Sequence, residues 1–162
     1  MAKTIKYLVL ALAVFFSHEV VAQEAQSITT HSVDVRLVPE TGAIEYTDQI
    51  TVKNKSEFRF RLAPWLRIKK VSLNNIVTQP LRMSDGWLIK LPDAGVHKIK
   101  FSVSGEIPPL PIRPSRGATG GARSGKDGVF LPGYRAWLPD SGESPIAYSV
   151  QATVPKPYRI AG

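Results

Sequence analysis

The residues able to do chemistry are few and far apart. Beyond the first 22 residues there are two histidines, His31 and His97, and there is no cysteine anywhere. The lack of cysteine excludes thiolate zinc sites, disulfide frameworks and a cysteine nucleophile. A catalytic zinc needs three protein ligands and an open position for water. No His-Glu-x-x-His occurs, and neither histidine has a second ligand two residues on. A site would need both histidines to converge with a carboxylate such as Asp34 or Glu106. A Ser-His-Asp triad is no better supported. We therefore assign no catalytic, cofactor-binding or metal residue, and expect no cofactor in this chain.

Gly120 to Asp127 (GGARSGKD) comes near the phosphate-loop pattern, but Asp127 stands where that motif needs a hydroxyl. The motif must also follow a buried strand and open a helix. Here a proline-rich stretch precedes it. The whole segment 108–128 is rich in Pro and Gly and carries Arg113, Arg116, Arg123 and Lys126. Such composition predicts a long basic loop, extended at its start and flexible at its end. Its four cations suit an acidic partner or a membrane surface. The segment has no aromatic residue on which bases could stack, so nucleic acid is not expected as a partner. Tyr134, Arg135, Trp137 and Pro139 read as a packed corner, with a carbohydrate platform as the functional alternative. Asn54-Lys55-Ser56 matches the glycosylation pattern, a frequent chance match.

The elements that must hold these residues read as strands. Val33, Val35 and Leu37 alternate with Ser32, Asp34 and Arg36; Pro39 to Gly42 is a turn; Ile44, Tyr46, Ile50 and Val52 then form one face of a long second strand. Asp48 breaks that apolar face. Alternation recurs over 58–62, 65–71, 86–91, 96–104 and 148–154, with turn signals at Asn74-Asn75 and Asp85-Gly86. No later window of ten residues carries a helical stripe. The expected fold is all-β, an antiparallel β-sandwich or saddle-shaped sheet pair.

Residues 1–22 read as an address. Lys3 and Lys6 precede an apolar run from Tyr7 to Phe16, and small residues lead to Ala22. These are the parts of a secretory signal peptide, and the run is about half the ~20 residues a bilayer span needs. The expectation is export, to the periplasm or outside the cell, with a short linker over 23–29 and one β domain over 30–162. The net charge of +8 favours acidic surfaces.

Three stretches together resemble the N-terminal β domain of zinc aminopeptidases of the aminopeptidase N type, the M1 peptidases. They are His31 to Val52, with its Pro-x-x-Gly turn; Phe60 to Asn75, with Trp65-Leu66-Arg67-Ile68-Lys69-Lys70-Val71; and Gly128 to Gly162, with Ala-Trp-Leu-Pro before the last strand. Ser102 to Ile107 is similar to the strand that ends in Gly before a variable loop. In that family catalysis belongs to a following helical domain with a His-Glu-x-x-His zinc site and a Gly-Ala-Met-Glu-Asn loop. Neither motif occurs here, and Trp137-Leu138-Pro139-Asp140 replaces the usual Phe-Pro-Cys-x-Asp. The resemblance thus implies a non-catalytic scaffold domain, a fragment of a longer protein, with zinc and the catalytic domain supplied by the chain that follows it. The alternative is a freestanding secreted module that contacts an acidic partner, a membrane surface or a glycan.

Overall fold

A computed structural model describes residues 29–109, 121–133, 137–142 and 146–160. The predicted leader 1–22, linker residues 23–28, Arg113, Arg116, Tyr134 and Arg135 lie outside the described residues. All regular structure among the described residues is β. A six-stranded sheet has the order β11-β1-β2-β8-β4-β5. Its strands are β1 (Thr29–Val38), β2 (Ala43–Lys53), β4 (Leu66–Leu73), β5 (Ile76–Thr78), β8 (Val96–Glu106) and β11 (Ile146–Thr153). A three-stranded sheet joins β3 (Glu57–Phe60), β7 (Trp87–Lys90) and β6 (Leu81–Arg82), and a hairpin joins β9 (Arg123–Gly125) and β10 (Gly128–Phe130).

The two-residue period in the sequence sets which face is buried. Val33, Val35, Ile44, Ile50, Ile99, Phe101 and Val103 all lie inward, and the residues between them face water. The register is strict because a slip of one residue would expose the whole apolar set. The smaller sheet covers this face with Phe58 and Phe60: Phe60 meets Phe101 edge-on at 5.0 Å and stacks on Phe58 at 5.7 Å. Phe58 and Phe101 are fully buried; burying such a side chain is worth about 1.5–3 kcal/mol.

The predicted turns form where expected. The β1–β2 turn has Gly42 at φ 70°, and its N–H donates to the Pro39 carbonyl. Asn74 and Asn75, both at positive φ, make the two-residue link of the β4–β5 hairpin, a conformation Asn tolerates well.

Three features differ from the expectation. First, β11 runs parallel to β1, with Val33 opposite Val150. The chain approaches that edge from the other layer, where Asp140 is bridged to Arg61 by two backbone hydrogen bonds. Strand direction there follows from the crossing and not from a local turn. Second, the C-terminal end of the predicted basic loop is the hairpin β9–β10, with Lys126-Asp127 as its turn. The Ser124 hydroxyl donates to the Ile107 carbonyl and anchors it. Third, β1 takes in Thr29, the last residue assigned to the linker.

Candidate functional site

Among the described residues, the inner face of the main sheet is not covered to its end. Val35 and Leu37 on β1 and Val150 and Ala152 on β11 form the floor of an open groove of about 790 Å³. Hairpin residues Val129, Phe130 and Leu131 form one wall, and the tail from Pro157 to Ile160 forms the other. The Tyr158 hydroxyl donates to the Lys126 carbonyl at 2.9 Å and ties tail to hairpin. Phe130 is 61% exposed, Ile160 57% and Val150 40%. That is a contiguous apolar patch of the kind that marks an interaction site. Lys126, Asp127 and Arg159 are the charges at its rim.

Trp137 closes the inner end of the groove, and its ring meets Tyr46 edge-on at 5.8 Å. The Tyr46 hydroxyl donates to the Trp137 carbonyl at 2.7 Å. Trp137, Leu138 and Pro139 are buried.

Beneath Tyr46 lies a polar pair that the alternating pattern only hinted at. Asp48, fully buried on β2, accepts from His31 Nδ1 at 2.8 Å through Oδ2, and His31 is buried as well. The β1–β2 register places His31 opposite Ile50, one diagonal step from Asp48. Asp48 Oδ1 has no hydrogen-bond partner among the described residues. Burial pushes the Asp48 carboxyl up, while the His31 hydrogen bond pulls it back. Burial, and then the nearby Asp48 charge, push the Tyr46 phenol up as well.

His97 serves another purpose. Its ring lies 3.1 Å from the Asn74 amide and 3.0 Å from the Asp93 carbonyl, so it joins the turn before β8 to the β4–β5 turn. Both histidines lie on the inner face, two strands apart, whereas Asp34 and Glu106 lie on the outer face. The two histidines do not converge with each other or with either carboxylate. Among the described residues no three His, Cys, Asp or Glu are grouped to hold a metal ion.

Of the loop cations within the described residues, Arg123 donates to the Ala122 carbonyl beside β9 and Lys126 is exposed at the hairpin turn. The near phosphate-loop segment from Gly121 onward forms this hairpin and opens no helix. A second, polar depression of about 400 Å³ lies between Arg59, Arg61, Asp85, Trp87 and Asp140. The groove residues Phe130, Val150 and Ile160 were not foreseen. Their apolar character is plain in the sequence, but their exposure depends on where the second layer stops.

No protein-family model and no curated protein sequence matches the chain. Solved structures do. The M1 zinc metallopeptidase from Deinococcus radiodurans aligns at 18% identity with TM-score 0.60, over 80% of this chain and 32% of that one. A two-domain M1 zinc metallopeptidase bound to L-arginine aligns at 17% identity with TM-score 0.61, over 80% and 33%. Legionella pneumophila aminopeptidase A, in complex with aspartic acid, aligns at 14% identity with TM-score 0.50, over 79% and 15%. The chain spans about a third of the length of the first two. At these identities the likeness is one of architecture, and the fold is that of the N-terminal β domain of M1 zinc metallopeptidases.

Proposed function

We propose that this chain is the scaffold domain of an exported M1-type zinc peptidase, and that its apolar groove seats the catalytic domain that follows it. The observation that carries this is the groove itself. Its floor is the inner face of the main sheet, patterned for burial like the rest of the core, yet Val150 and Phe130 remain exposed. A face written for burial and left open calls for a covering layer. In this reading the zinc ligands and the general base belong to the covering domain. The described residues of this chain do not fit zinc: His31 is engaged by Asp48 in the core and His97 holds two turns together. The chain's part is to wall the peptide cleft and hold the catalytic domain in place.

Reading the gene past the Gly162 codon tests this. An in-frame segment that encodes His-Glu-x-x-His is expected. A stop codon there would favour the freestanding binding module instead. In parallel, the chain alone should leave alanyl and leucyl aminopeptidase substrates unhydrolysed with zinc added. Turnover by the chain, lost on His97→Ala, would overturn the non-catalytic reading.

A further inference from the structure

The outer face of the main sheet is polar along β1 and β2 as far as Val38 and Ala43 at their turn, and there Asp34 and Glu45 accompany Arg36. Across β8 and β4 it changes character. By register, Lys53 lies opposite Val96, Thr51 opposite Lys98, and Gln49 opposite Lys100, all on this face. On the other side of β8, Ser72 lies opposite Lys100 and Lys70 opposite Ser102. A register shift between Ile68 and Lys70 marks a bulge at Lys69. Lys69 lines a shallow depression with Asp34, Arg36, Glu45, Thr47, Ser102 and Ser104, which are outer-face residues. Strict alternation would have sent Lys69 and Lys70 to opposite faces; the bulge puts both on the same one.

The result is a field of lysines: Lys53, Lys70, Lys98 and Lys100 share this face with no acidic side chain opposite them by register, and Asp34 and Glu45 lie beside Lys69 at the β2 side of the field. None of Lys53, Lys69, Lys70, Lys98 and Lys100 is in an ion pair with another described residue. Neighbouring strands lie about 4.8 Å apart and alternate residues about 6.7 Å apart, so the charges form a lattice on a broad face. Exposed aliphatic residues border it. Val77, opposite Ser72, is 63% exposed and Val96 is 61% exposed. The Asn74 side chain accepts from Lys98 N, and Asn74 N donates to the Lys98 carbonyl, so the hairpin tip is held beside the lysines.

From this juxtaposition we propose that the β8–β4–β5 outer face seats the protein on an anionic lipid bilayer. Lysines meet the headgroups, and Val77 and Val96 enter the boundary of the acyl region. Among the described residues the broad face has no aromatic platform for sugars or bases, and the aliphatic border has no role against a soluble polyanion. The face is opposite the groove, so a covered groove and a seated membrane face are compatible. The proposal goes beyond the scaffold reading and stands or falls separately from it.

Flotation with vesicles of phosphatidylglycerol and phosphatidylcholine tests it. The chain should bind these, leave pure phosphatidylcholine vesicles unbound, and be released by raised salt. Each juxtamembrane lysine is worth about fivefold in binding, so Lys70→Gln with Lys98→Gln and Lys100→Gln should weaken it about 100-fold. These are exposed positions, and the melting temperature should not move; Lys100→Gln alone gives the fivefold step if the triple variant misfolds. Val77→Ser with Val96→Ser should weaken binding several-fold at unchanged charge. Arg123→Gln with Lys126→Gln, at the hairpin turn, should stay within twofold of the unmodified chain. Unaltered binding by the triple variant would overturn the proposal, as would an equal loss in the hairpin variant. So would binding to heparin without binding to anionic vesicles, which would assign the face to a polyanionic glycan.

Discussion

At the residue scale the buried His31–Asp48 pair carries the sharpest energetic statement. A carboxylate inside an apolar core is costly unless its oxygens are hydrogen-bonded, and here one of the two oxygens has no partner among the described residues. Burial raises the Asp48 carboxyl in the folded protein above its value in the unfolded chain. Its contribution to stability is therefore fully present below the unfolded carboxylate value and is lost as pH rises through the folded one. Asp48→Asn keeps an acceptor for His31 but takes up no proton. The melting temperature of the unmodified chain, measured against that variant, should rise as pH falls from 7 to 4. A difference that stays flat over this range would show that Asp48 is not the titrating group. Asp48 was visible in the sequence as the break in an apolar strand face. Its partner was not, because the contact depends on a diagonal that only the β1–β2 register defines.

At the scale of elements, length decided what could be read. β1, β2 and β8 run for 10, 11 and 11 residues, long enough for a two-residue period to declare itself. β5, β6, β9 and β10 have only two or three residues each and show no period at all. Tertiary pairing alone makes them strands. The bulge at Lys69 is invisible for the same reason, since a bulge exists only relative to its partner strand. Gly105 shows how closely β4 and β8 approach. A Cβ there would lie 2.5 Å from the Trp65 carbonyl oxygen and 2.9 Å from Leu66 Cδ2. Backbone oxygen cannot swing aside, so Gly105→Ala should destabilise the fold by about 1–3 kcal/mol. Gly95→Ala makes a milder comparison, because its Cβ would crowd the end of the exposed Asp93 side chain, which can shift at the expense of its contacts with Gly95 N and His97, and would reach His97 Nε2 only at 3.9 Å; it should cost under about 1 kcal/mol. Equal losses in chemical denaturation would show that the β4–β8 approach is not tight.

At the scale of the whole molecule, the chain has two unlike faces and one uncovered end. The groove should take up an apolar reporter dye, and Phe130→Ser with Val150→Ser should remove most of the fluorescence at little cost in stability, because both side chains are exposed. Undiminished fluorescence would place the open apolar surface elsewhere. The sequence by itself determined the all-β class, the long strands, the turns at Gly42 and Asn74-Asn75, and the inward residues of the core, because each follows from local periodicity or local backbone preference. It also carried, through the order of its segments, the resemblance to the M1 N-terminal β domain that the solved structures share. Only the tertiary structure decided that β11 lies parallel to β1, that the inner face runs out from under its cover at the groove, and that Lys69 and Lys70 join Lys98 and Lys100 on one surface. Those outcomes depend on which strands become neighbours and where a layer ends, and such long-range pairings leave no period in the chain for a reader to find.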